Sequence, residues 1–225
     1  MGTYDLLVYA HVLAFVFWLG GDLGVAILGS AFRDRTKPLE TRLELLRLLG
    51  VVDMGPRSAW VAMVPLSITL VDVGGYWDVP DAVLIGSWIV GAAWMALTWR
   101  IHLAGPGSTT SGLKTLEFWI KIAITCGYGT LGILALLGKG PLEADWLGLK
   151  ALTFAGIFVV AIMIDVAGKP IGSLLMKVIE DGSSDATEMP LRRAMDKARL
   201  WVWATYVLLL VIGYLGSVKP SFSGE

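Results

Sequence analysis

Charge in this sequence is confined to a few short segments, and between them lie apolar runs of twenty residues or more. Coiled as an α-helix at about 1.5 Å per residue, such a run matches the roughly 30 Å hydrocarbon core of a bilayer. Strands do not suit these lengths, because within lipid only helices or closed barrels satisfy the backbone. A barrel would show alternating segments of about ten residues, and the runs here do not alternate. Composition agrees: 56% of the 225 residues are hydrophobic and only 16% are charged, where a soluble domain carries about a quarter.

The expected fold is therefore an all-α polytopic membrane bundle. About six transmembrane helices are read, over residues 4–31, 57–76, 82–103, 113–137, 146–168 and 200–216. They form a single integral membrane domain over 1–225. Lys and Arg set its orientation. The connections after the first, third and fifth spans carry 14 of the basic residues, among them Arg33, Arg42, Arg57, Arg100, Lys169 and Arg193. The opposite side has only Lys139, Lys150 and Lys219. Both termini are expected on the non-cytoplasmic side, in a bacterial inner membrane. No basic residue precedes the first apolar run, and that run is too long for a signal h-region, so it reads as a true span. Tyr4, Trp77, Trp146 and Tyr214 fall at the outer interface, and Trp99 and Trp201 at the inner one.

Two cytoplasmic connections have helical amphipathic patterns. In 38–52, Leu39, Leu43, Leu46 and Leu49 recur against Glu40, Arg42, Glu44 and Arg47; in 171–179, Ile171, Leu174, Leu175 and Val178 recur likewise. Asp181–Asp185 is expected to turn, through Gly182 and its two serines. Pro190 is placed in the first turn of the helix leading into the last span. The paired glycines, Gly20-Gly21 among them, suggest close helix approach. The single cysteine, Cys126, permits no intrachain disulfide and reads as a small packing residue. A net charge of -1 gives no reason to expect nucleic acid as a partner; the expected partner is the lipid bilayer, with other membrane subunits or further copies of the chain as alternatives.

Titratable groups inside hydrocarbon cost a few kcal/mol and need a partner or a purpose. His11, Phe15, Trp18 and Asp22 share one face of the first span by their spacing. His11 is either a haem or metal ligand with the Asp22 carboxylate below it, or a histidine hydrogen-bonded to a neighbouring helix. His102 sits at the other end of a parallel span, so the two histidines are not expected to share one metal. Towards the cytoplasm, Asp53 with Arg57, Glu117 with Lys121 and Asp165 with Lys169 have the spacing of helical ion pairs. The alternative joins Asp22, Arg57, Lys121 and Asp165 into a polar pocket for an anionic ligand or a proton path, with Thr125 and Tyr128 extending it. Lys150 lies one turn into the fifth span on the same side as His11. It either snorkels to the interface or meets the propionate of a haem held by His11.

The run His11-Val-Leu-Ala-Phe-Val-Phe-Trp18-Leu-Gly20-Gly21 resembles the first-helix pattern of the CopD-type copper-resistance membrane proteins and the HemJ-type protoporphyrinogen oxidases. Trp146-Leu-Gly-Leu-Lys150 is a loose counterpart of a later helix in those proteins. The resemblance implies a haem- or porphyrin-associated, redox-linked bundle. It makes His11 the axial and metal ligand and Lys150 the second functional residue, a cofactor contact and candidate catalytic group; Trp18, on the face of His11, is a further candidate cofactor contact, and Asp22, on the same face, is a candidate catalytic group read from that spacing and not from the resemblance. Asp22 itself, and the lack of a later histidine near Phe32–Asp34, depart from the pattern. Three functions follow as alternatives: a haem- or porphyrin-binding membrane protein, a non-catalytic accessory subunit of a larger membrane complex, and a small proton-coupled transporter.

Overall fold

A computed structural model describes residues 2–105 and 110–221. Among them there are seven helices and no strands: α1 (Thr3–Phe32), α2 (Leu39–Val73), α3 (Asp81–Leu103), α4 (Ser111–Leu136), α5 (Asp145–Gly168), α6 (Ile171–Asp181) and α7 (Asp185–Val218). Five helical stretches are long and apolar enough to cross a membrane: α1, α3, α4, α5 with its continuation into α6, and α7. Large apolar side chains line their outward faces, such as Tyr9, Val16, Phe17 and Ile27 on α1 and Val207 and Leu210 on α7. In water such faces would demand a partner; in a helical membrane bundle they face acyl chains.

The sixth expected span, 57–76, lies in α2, which falls outside those five stretches. Its apolar residues are interrupted by Ser58, Pro65, Ser67 and Thr69. The interruption is tolerable because α2 is surrounded by other helices. Ala59, Trp60, Val61, Met63, Val64 and Pro65 are all buried, so this helix meets protein on most of its circumference. A second difference is that the amphipathic segment 38–52 and the span form one continuous 35-residue helix. Pro56 and Pro65 lie inside it. A proline ring normally disturbs the preceding turn of a helix, and here each ring is met by a glycine on the neighbouring helix. A Cβ on Gly21 of α1 would lie 2.6 Å from Pro56, and one on Gly91 of α3 would lie 3.0 Å from Pro65.

Sequential long helices run antiparallel. Gly24 meets Val52 while Gly29 meets Leu49, which fixes α1 against α2. Trp88 donates to Thr69 while Trp99 donates to Ser58, fixing α3 against α2. Gly132 packs on Gly148 and Lys121 reaches Asp165, fixing α4 against α5. The ring closes through α7: Gly213 receives Phe15 of α1, and near the other end Asp196 accepts from Arg33. His11 and His102 consequently lie at opposite ends of the bundle, His102 edge-on to Trp99.

Three cores stack along this ring. The central one is aromatic, with Trp60 4.8 Å from Phe158 and 5.4 Å from Trp94 between ring centroids. At the end bearing the basic connections, Phe32, Leu175, Val178 and Leu191 pack together, with Leu39, Leu43 and Leu46 against them. This is the apolar face of α6 and of the first turns of α2, so both amphipathic segments cap the bundle. At the far end Leu142, Leu147 and Ala151 pack beside Tyr76, Trp77 and Trp146.

The turn into α7 is the one expected: Gly182 has φ +83, a value a side chain would oppose. Ser184 then caps the helix, accepting from the Thr187 amide while Thr187 Oγ1 accepts from the Ser184 amide. Pro190, expected in the first turn, sits in the second, because α7 begins at Asp185. Cys126, expected in the packing, is exposed on α4; Lys121 and Gly132 hold the inward face of that helix instead.

Candidate functional site

Two polar groups interrupt the apolar interior, one on each side of the aromatic core. On the side away from the basic connections, α1 and α5 both present side chains to α7. Phe15, one turn from His11, packs against Gly213, where a Cβ would lie 3.1 Å from its ring. Lys150 Nζ packs against Gly216, one turn further along α7, 2.6 Å from where a Cβ would stand. The absent side chains on α7 let Phe15 and Lys150 pack one turn apart on that helix, and His11 lies within electrostatic reach of Lys150. His11 Nδ1 is buried and has no hydrogen-bond partner.

Trp18 lies deeper on the same face of α1. It is buried in the aromatic core, 6.3 Å from Trp60 and edge-on to Phe154 at 6.4 Å. Further along, Asp22 lies within reach of the Trp18 indole, of Asp53 and Arg57 on α2, and of Tyr206 on α7. Among the described residues, no group of three or more His, Cys, Asp or Glu is placed to hold a metal ion, so His11 as a metal ligand would act without a protein partner set. An open cleft among the far-end loops is lined by Tyr76, Trp77, Asp78 and Glu143, and none of His11, Trp18 or Lys150 reaches it.

The second polar group lies towards the basic end. Arg57 Nε donates to Asp53 at 2.5 Å, the helical pair expected from spacing. Lys121 does not pair with Glu117 as its spacing suggested: it donates to Asp165 of α5 at 2.7 Å, with its ammonium 5.4 Å from the centre of the Trp60 ring. Glu117 turns instead to Thr98 of α3, whose hydroxyl donates at 3.3 Å. A contact between helices replaces a contact along one helix because Lys121, 2% exposed, points into the bundle rather than along its surface. Thr125 returns its hydroxyl to the Lys121 carbonyl, and Tyr128 meets Ser67 at 2.6 Å. The pairs Asp53–Arg57 and Lys121–Asp165 and the Glu117 carboxylate thus lie towards one end of the bundle, Lys121 buried and Asp165 exposed at its edge.

One ionic feature had no signal in the spacing. Arg42 reads as part of the charged face of 38–52, yet it is buried and pairs with Glu188 through two hydrogen bonds of 2.6 and 3.0 Å. The hydrogen bonds from Arg42, aided by one from Ser183, hold the Glu188 carboxyl below its ordinary range against the opposing effect of burial. Compared with protein-family models, curated proteins and solved structures, the chain matches none of them.

Proposed function

We propose that this is a six-span integral membrane protein with both termini on the non-cytoplasmic side, binding a haem or porphyrin in its outer half through His11. The single observation carrying the reading is that Phe15, one turn from His11, and Lys150 pack on neighbouring glycines of α7, with His11 within electrostatic reach of Lys150. The fit is favourable on two counts. His11 has a buried ring nitrogen without a protein partner, so no competing hydrogen bond at Nδ1 fixes the ring. Lys150 supplies a cation of the kind that pairs with a propionate by a charge-assisted hydrogen bond. A haem iron held there would give the bundle one-electron redox chemistry. The protein's own part is to orient the imidazole, supply the counter-charge and keep bulk water away with Phe15 and the aromatic core.

Six spans follow if α2, screened from lipid by its neighbours, crosses with the other five. The basic ends of α1, α3 and α5 then lie in the cytoplasm. The test is the absorbance spectrum of detergent-purified protein, as isolated and after incubation with haem. A Soret band is expected, lost in His11→Ala and altered in Lys150→Ala. Wild-type protein that stays colourless after reconstitution would end this reading.

A further inference from the structure

We propose that the cleft between the end of α1 and the first turns of α7, bounded by Arg33, Arg192 and Arg199, holds the phosphate of an anionic phospholipid whose acyl chains lie along α7. It uses none of the residues assigned to the cofactor and requires only that the bundle stands in a membrane.

Three helices build the cleft. Arg33 and Arg35 follow α1, Arg42 comes from the first turn of α2, and Glu188 and Arg192 come from α7. Arg33 donates to Oδ1 of Asp196, and Arg199 lies 3.5 Å from the same oxygen. Both guanidinium groups therefore converge on one point beside the cleft. The cleft itself is narrow, about 10 Å³, the space of a single water-sized oxygen. A phosphate enters with one oxygen and keeps the others at the mouth, where Arg192 is exposed.

The charges here do not balance. Arg33, Arg35, Arg42, Arg192 and Arg199 meet three carboxylates, each already engaged. Glu188 accepts from Arg42 and Ser183, Asp185 accepts from Arg35, and Asp196 is shared by Arg33 and Arg199. Asp34, in the adjoining turn, is held by Lys37 and Thr36. Among the described residues Arg192 has neither a hydrogen bond nor an ion pair.

A second observation is independent of the charge count. Arg33 Nε is buried and has no acceptor, although another nitrogen of the same guanidinium donates to Asp196. A buried N–H left in that state is costly and uncommon, and an incoming oxyanion supplies the acceptor. Phosphate suits several guanidinium groups at once, because its oxygens match their planar forks.

The surface that continues from the cleft selects a lipid over a free anion. Arg192, Asp196, Arg199, Trp203, Val207 and Leu210 recur at three- and four-residue steps and share one face of α7. Trp203, Val207 and Leu210 are 59%, 60% and 63% exposed, so the bundle leaves that stripe uncovered. Arg192 both lines the cleft and heads the stripe. From the basic end inward the face presents charge, then a tryptophan, then aliphatic residues. That is the order of headgroup, interface and acyl chain in one leaflet, and basic pockets between spans recognise phospholipid headgroups. A free phosphate would gain nothing from the stripe.

Native mass spectrometry of the detergent-solubilised protein tests this, with phosphatidylglycerol and phosphatidylcholine offered at equal concentration. The wild type should retain one phosphatidylglycerol preferentially. Arg192→Gln with Arg199→Gln should lower that preference by about tenfold or more. Arg193→Gln with Lys197→Gln removes the same charge from α7 off that face and should leave the preference unchanged. Equal retention of the two lipids by the wild type would overturn the proposal, as would equal losses in the two double variants. Inorganic phosphate in large excess should not displace the lipid; full displacement would make the site one for free anions and overturn the lipid assignment. Phosphatidylglycerol with brominated chains should quench tryptophan fluorescence more than its phosphatidylcholine counterpart, and the excess should shrink in Trp203→Phe. An unchanged excess in that variant would overturn the placement of the chains on α7.

Discussion

Arg42 and Glu188, 146 residues apart, form a two-pronged ion pair whose side chains are each 3% exposed. The same guanidinium donates through Nε to the Phe32 carbonyl at 2.8 Å and lies over the Phe32 ring. One side chain on α2 therefore joins the carboxyl end of α1 to the first turn of α7. Ser183 completes the set, its hydroxyl donating to Glu188 at 2.8 Å.

Removing one partner leaves the other charge buried. Arg42→Met or Glu188→Gln should each destabilise the protein by about 3–5 kcal/mol, the range for breaking a buried pair. Joint replacement by Arg42→Met and Glu188→Leu should recover much of that loss, because no charge is then stranded. Unfolding in mixed micelles, monitored by tryptophan fluorescence, gives the three values. Single variants as stable as the wild type would show the pair to be energetically idle.

The same contact sets an acid limit. The Glu188 carboxyl is held below its ordinary value in the folded protein. Its contribution is therefore fully present above the unfolded value of about 4.3 and is lost as pH falls through the lower folded value. Protease cleavage near residues 182–184 should rise on that acid side in the wild type. Glu188→Gln should be cleaved readily at neutral pH and show little further change with acid.

Pro56 and Gly21 predict a size limit between α1 and α2. A Cβ at Gly21 would stand 2.6 and 2.7 Å from the Pro56 ring, whereas one at Gly20 meets nothing within 4 Å. Gly21→Ala should cost about 1–3 kcal/mol as an overpacked contact, and Gly20→Ala should be tolerated. Adding Pro56→Ala to Gly21→Ala should return part of the loss. Equal effects at the two glycines would contradict the packing.

Topology is open to chemical labelling. With Cys126 replaced by serine, a cysteine at Ser183 should react with a membrane-impermeant maleimide only after the cytoplasmic side is exposed. One at Asp78 should react from outside intact cells or spheroplasts. The reverse pattern would invert the orientation.

Sequence alone determined the helical membrane class, the basic end of the bundle and the amphipathic segments 38–52 and 171–179, because length, hydropathy and charge are properties of a local stretch. It also placed Asp53 beside Arg57, one helical turn apart. Partners between helices were another matter. Lys121 had an available carboxylate in Glu117, and Arg42 looked like part of a solvated face. Only the packing of α4 on α5, and of α2 on α7, turned them to Asp165 and Glu188. The approach of Phe15 and Lys150 to α7 was likewise set by tertiary structure, since it depends on Gly213 and Gly216 letting two other helices come close. Helix formation is decided within a few turns of chain, whereas the partner of a buried charge is decided by which helices share an interface and in what register.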